Sequence, residues 1–252
     1  MTMTSSETML NQLTQHQTGF VSKRPFITLS FAQSLDGCIS ANVGQRLHIS
    51  CHESLKLTHQ LRAIHGGLLV GISTVLVDNP RLNVRLANGT DPRTIVLDST
   101  LRFPPNARML NTGASKPIIA TGQHLNPEKA QNLKNLGLKI VPFKLSDESL
   151  VPIPDLLQNL YHEGIRSIMV EGGSKVITSF LKLGICDFMV VTVSPMIIGN
   201  SKSVRYGLSE SEKVPYLKNL RPLNIGSDLV LWGSPTWKEL RPIISRGDEE
   251  LQ

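Results

Sequence analysis

From residue 25 to residue 183 short apolar runs alternate with segments of helical periodicity, and few architectures accept that rhythm. "FITLSFA" (26–32) alternates as a half-buried strand does, and "LHIS" (47–50) has the same character over a shorter stretch. Ser50 and Glu53 form an S-x-x-E box, which predicts a helix starting at Cys51 and ending before Gly66-Gly67. "LLVG" (68–71), "TIVLD" (94–98), "PIIAT" (117–121), "LKIVPF" (138–143) and "SIMV" (167–170) read as further strands. Between them, Asn126-Pro127 opens a helix that Gly137 stops, Pro154–His162 is helical up to Gly164, and a helix from Gly172 to Leu183 ends at Gly184. Strand and helix in alternation imply a parallel sheet covered on both faces.

After Gly184 the rhythm changes. "DFMVVTVSPMII", "LRPLNIG" and "SDLVLWG" follow without a comparable helix, so they are expected to add antiparallel pairs at one side of a mixed sheet. The 252 residues show neither an internal repeat nor a break in composition, which indicates one α/β domain over 25–240. The Thr-, Ser- and Gln-rich stretch 1–24 reads as a disordered tail without the apolar core of a secretory signal, and 241–252 as a polar C-terminal tail.

Composition narrows the function. No run reaches the ~18 apolar residues of a membrane helix. Three scattered cysteines form no CxxC pair and suit a reducing, cytoplasmic setting. The net charge of +6 admits an anionic partner, but the basic residues are dispersed and aromatics are scarce, which points to a small phosphorylated ligand rather than nucleic acid.

"SIMVEGGSKVITSF" (167–180) is the stretch richest in chemistry. A strand entering a helix through Gly172-Gly173 exposes N–H groups at the positive end of the helix dipole, with the Ser174 hydroxyl and Lys175 close by. The two glycines make either a pyrophosphate cradle or merely a tight turn. Glu171 would repel a phosphate, so its carboxylate suits a neutral donor such as the amino groups of a heterocycle. In "AQSLDGCIS" (32–40) Asp36-Gly37 is either a hairpin turn or part of a site. In "GISTVLVDNPRLNVR" (71–85) Ser73 and Thr74 are placed to cap a short helix and meet an anion. Asp78 there is either an Asx-turn residue or functional, and a strand is expected to carry Arg85. Arg62, late in its helix, has the helix C-terminus as an alternative partner. His48 and His52 fall in different elements, so no metal site is expected. Walker, G-x-G-x-x-G, G-x-S-x-G and zinc-deaminase signatures are all missing from the sequence.

Together, "FAQSLDGCIS", "LRAIHGGLLVGISTVLVDNPRLNVR", "IVLDSTLRFPPNARML" and "IMVEGGSKVITSFLKLGICDFMVVTVSPMIIG" resemble, over residues 25 to 233, the reductase family of riboflavin biosynthesis. The resemblance implies a dihydrofolate-reductase-like fold, NADPH as cofactor, a homodimer, and a ribosylaminopyrimidine 5′-phosphate as substrate. In that reaction the ribosylamine opens to an imine and hydride reaches C1′ of the sugar, leaving a ribityl chain. The matching positions imply cofactor contacts at Ala32, Thr74, Asp78, Ser99, Gly172, Gly173 and Ser174. They imply substrate contacts at Arg62, Arg85 and Glu171, with Asp36 and Glu171 next to the reacting groups. Where some members carry lysine, five residues before the motif aspartate, this chain has Phe31. With no deaminase motif in the chain, the resemblance is to the stand-alone reductases that act before deamination. A same-fold reductase of the deaminated ring, a pteridine or another heterocycle is the alternative. A non-catalytic NADPH-binding partner of a separate deaminase is a second.

Overall fold

The computed structural model describes residues 5–40, 48–112, 115–199, 202–204 and 213–239. In chain order the elements are α1 (Ser5–Thr18), β1 (Phe26–Ser34), β2 (Cys38–Ser40), α2 (His52–Ala63), β3 (Gly67–Gly71), α3 (Ile72–Asp78) and β4 (Arg93–Leu97). After a 3-10 turn at Arg108–Asn111 come β5 (Ile118–Gly122), α4 (Pro127–Asn135), β6 (Lys139–Phe143), α5 (Ile153–His162), β7 (Ser167–Val170) and α6 (Ser174–Lys182). Strands β8 (Phe188–Ser194), β9 (Lys202–Ser203), β10 (Lys213–Ile225) and β11 (Asp228–Glu239) complete the described chain.

Nine strands form one sheet in the order β10-β11-β8-β1-β7-β3-β4-β5-β6, and β2 pairs with β9 in a small separate ladder. Strands β8 through β6 run parallel, with β1 between β7 and β8. Within this sheet only the β8–β11 and β11–β10 pairings are antiparallel. "DFMVVTVSPMII", expected among the antiparallel additions, instead extends the parallel sheet beside β1 before the hairpin closes it. This is the mixed sheet with an antiparallel C-terminal edge that the sequence predicts.

Alternate residues of the central strands face opposite layers. Leu68 and Val70 point into the cluster with Met9 and Leu13 of α1, Leu57 and Leu61 of α2, and Leu133 of α4. Leu69, Ile27 and Leu29 point the other way, against Leu156 and Leu160 of α5 and Ile177 and Phe180 of α6. Gly137, Gly164 and Gly184, predicted as helix stops, all take positive φ after α4, α5 and α6.

Several sequence expectations are corrected. Residues 5–18 are a helix rather than a disordered tail. Met9 and Leu13, one turn apart, are both fully buried against the sheet, and His16 stacks edge-on to Phe188. Polar composition hid a two-residue apolar stripe that tertiary packing stabilises. Residues 1–4 and the 241–252 tail lie outside the described residues. His48–Ser50 are not a strand, and the predicted capping box does not form. The N-cap is Cys51, whose amide donates to the Asp228 carboxylate at 2.8 Å, so the start of α2 is set from β11 rather than by its own neighbours. Residues 79–92 contain no strand; Arg85 sits on an irregular loop.

Candidate functional site

Because β1, β7, β3 and β4 are adjacent and parallel, their carboxyl ends open on one edge. Ala32, Gly172–Ser174, Thr74 and Ser99 stand there in a row that spans three strand spacings, about 14 Å. Crevices of open α/β sheets lie at such edges.

The two glycines after β7 have different jobs. A Cβ at Gly172 would overlap Val176 of α6, and one at Gly71 would come within 2.9 Å of Val176 Cγ2. Both glycines therefore let α6 cross close over β3 and β7. At Gly173 the nearest atom to an added Cβ is Thr74 Oγ1, 4.0 Å away, and the backbone (φ −66, ψ 176) is open to any residue. Nothing in the fold asks for glycine at 173. Gly173 is the N-cap of α6 without a side-chain cap, whereas Asn126 caps α4 by accepting from Lys129 N. An uncapped helix start with open space over it is a ready anion site. Thr74 lies in the first turn of α3, whose N-cap is Gly71; its hydroxyl caps nothing and faces Gly173 instead. Asp78 lies one turn further along α3, roughly 6 Å of helix from Thr74.

Arg62 and Glu171, 109 residues apart, form a two-pronged pair: Nε donates to Oε1 and Nη2 to Oε2, each at 2.6 Å. Arg62 is 7% exposed. Burial by itself would lower its pKa, but the Glu171 carboxylate overrides that, and the guanidinium is held above its ordinary value. Arg62 thus does not serve its own helix end. Glu171, predicted to face a neutral donor, meets a buried cation instead and uses one lone pair of each oxygen on Arg62.

The third prong, Nη1 of Arg62, donates to Asn83 O at 3.1 Å. That loop is tied down at several points. Arg108 N donates to Asn79 Oδ1 (2.9 Å), Val84 N to Asp91 Oδ1 (2.6 Å), and Arg85 N to His59 Nδ1 (3.1 Å). Asn79 and Leu82 both take the left-handed conformation, φ 41 and 52. For Leu82, whose side chain is buried, that conformation costs about 1–2 kcal/mol. The Arg85 side chain is exposed and points its Nη1 to Asn83 Oδ1 at 3.4 Å.

Asp36 is held differently from expectation. Its Oδ1 accepts from the Ser34 hydroxyl and from Ile198 N (3.2 Å), and its Oδ2 from Gly199 N (2.7 Å). The Ser34 hydroxyl and the two amides keep the carboxyl well below the usual range. The same carboxylate pins the turn after β1 to the segment after β8. The turn is tight, with Gly37 at φ 80, yet β2 pairs with β9 rather than β1, so Asp36-Gly37 makes no hairpin.

Sequence reasoning missed Ser34, Asn83 and His59. His59 was legible only as the residue one turn before Arg62 on the same helical face.

Comparison with known proteins gives the family. Residues 25–231 match the model of the RibD C-terminal domain. The chain belongs to the RibD C-terminal domain family. It is 35% identical over 212 residues to the riboflavin biosynthesis protein RibD of Aquifex aeolicus, covering 83% of this chain and 58% of that protein. It is 32% identical to the 2,5-diamino-6-ribosylamino-4(3H)-pyrimidinone 5′-phosphate reductase of the same organism, covering 82% of this chain and 92% of that one. Among solved structures, the riboflavin biosynthesis reductase Rib7 of Saccharomyces cerevisiae superposes with a TM-score of 0.73 at 27% identity, over 91% of this chain and 98% of Rib7. The RibD C-terminal domain match begins after α1. Among the described residues no helix is long and apolar enough to cross a membrane.

Proposed function

We propose that this protein reduces the ribosyl group of 2,5-diamino-6-ribosylamino-4(3H)-pyrimidinone 5′-phosphate with NADPH. The observation that carries this reading is the Arg62–Glu171 pair standing beside the open first turn of α6, on a chain that covers nearly the whole of a relative named for that reaction. The residues present fit the cofactor: the unobstructed space over Gly173 leaves the Ser174 and Lys175 amides at the start of α6 to meet a diphosphate, with the Thr74 and Ser174 hydroxyls beside them.

Bound NADPH supplies the hydride. The chain supplies position. Ala32, Asp78 and Ser99 flank the cofactor along the same edge. Glu171, steadied by Arg62, offers its remaining lone pairs to the amino groups of the pyrimidine. Arg85 offers its fork to the sugar phosphate. Asp36 keeps the β1 turn closed over the reacting end. The active form is a homodimer: β10 is a 13-residue edge strand, and Tyr216 and Leu220 on it are about half exposed.

Supplying the ribosylaminopyrimidine phosphate and following NADPH absorbance tests the reading. Oxidation of NADPH with formation of the ribityl product is expected, with NADPH preferred over NADH. Tight NADPH binding without any oxidation would replace the enzyme by a binding partner. Light scattering on the eluting protein tests the dimer.

A further inference from the structure

His59 is fully buried on α2, and Arg85 N donates to its Nδ1 at 3.1 Å. An imidazole nitrogen that accepts carries no hydrogen, so the ring proton sits on Nε2. That Nε2 is buried with no hydrogen-bond partner among the described residues. A buried donor without a partner costs stability. A leucine at this position would fill the space without that cost, so packing does not account for a histidine. What the imidazole does provide is an acceptor for the Arg85 amide. The loop it holds is one that needs holding, since Leu82 is in the left-handed region and the chain from 79 to 92 has no strand to brace it. One turn along the same face, Arg62 clamps Asn83 O and grips Glu171.

We propose that His59 is a positioning residue: its Nδ1 fixes the Arg85 backbone so that the arginine is presented to substrate in register with the Arg62–Glu171 pair. A single face of α2 thereby sets the distance between two substrate contacts carried by separate loops. The inference rests on the assignment of Arg85 to the substrate.

The test compares His59→Leu, His59→Gln and His59→Asn in the full chain. Asparagine places an oxygen where Nδ1 lies, whereas glutamine places its amide near Nε2 and leucine offers no acceptor. Leu and Gln are expected to raise KM for the pyrimidine phosphate about tenfold, leaving NADPH affinity within about twofold. Asn is expected to restore KM to within about threefold of the parent. Amide exchange at Arg85, read without substrate, is expected to quicken at least about tenfold in Leu and Gln and to recover in Asn. Unchanged Arg85 exchange in His59→Leu and His59→Gln would overturn the proposal, as would a fall in NADPH affinity equal to the loss for substrate. Arg85→Ala separates the two levels. A flat KM in that variant removes the substrate assignment and the proposal with it. A raised KM there, with a flat KM in His59→Leu, removes the proposal alone.

Discussion

Gly173→Val divides cofactor binding from folding at one position. Valine adopts φ −66, ψ 176 without strain, and its Cβ would meet nothing closer than Thr74 Oγ1 at 4.0 Å. Valine is a poorer N-cap than glycine, so the fold should lose about 0.5–1 kcal/mol, less than a core substitution costs. The branched side chain would stand in the space over the first turn of α6, where a diphosphate is to sit. Attraction of an anion to a helix N-terminus is worth about 0.3–2 kcal/mol. Direct N–H to phosphate bonds are charge-assisted and stronger than neutral ones, so their loss adds to this. A total of at least about 1.4 kcal/mol, tenfold in NADPH Kd, is expected. Gly172→Ala is the counterpart. Its Cβ would overlap Val176, so it should destabilise by about 1–3 kcal/mol through overpacking. Melting without ligand and fluorescence titration with NADPH read the two quantities separately. A Gly173→Val protein that melts much earlier yet binds NADPH normally would refute the argument.

Glu171→Gln weakens a charged hydrogen bond to buried Arg62, which should cost about 1.5–3 kcal/mol and slow turnover at least tenfold while NADPH affinity stays within twofold; weaker NADPH binding with normal turnover of the bound complex would move Glu171 to the cofactor site. His65 donates from Nδ1 to Leu61 O and accepts from the Thr28 hydroxyl at Nε2, and burial depresses its pKa from 6.5 to about 4; burial first, then Arg62 and Arg85, bring His59 to about 4 as well. Since both folded values lie below the unfolded one, the unfolded chain binds more protons between them. The stability they contribute is complete above about pH 6.5 and is lost as pH falls towards 4, about 3 kcal/mol for His65 alone. Urea midpoints at pH 7.5 and 5 measure it, and equal midpoints would contradict it. Leu13→Ala should cost about 2–5 kcal/mol in denaturant unfolding, whereas a dispensable tail would lose nothing.

Local chemistry was enough for much of this protein. The Asn126-Pro127 start of α4 and the glycine stops at 137, 164 and 184 each act within a few residues, so sequence alone determines them. "FITLSFA" is a strand as predicted, but it lies inside the sheet and its residues 26–30 are all buried rather than alternating. A local rule likewise brings Thr74 and Gly173 together, because strand-to-helix turns after parallel strands fall on one side of the sheet. Tertiary structure decided what depends on distant partners. Glu171 reads as a lone acid until Arg62, 109 residues away, fills half its lone pairs. Asp36 reads as a turn acid with local partners only until the Ile198 and Gly199 amides, 162 and 163 residues away, donate to it. Met9 and Leu13 look too sparse for a helix until the sheet covers them, and the start of α2 waits on Asp228. Periodicity encodes which face of an element is apolar. It carries no record of which side chain, far along the chain, will stand opposite a given polar group, and the chemistry of this edge is set by those pairings.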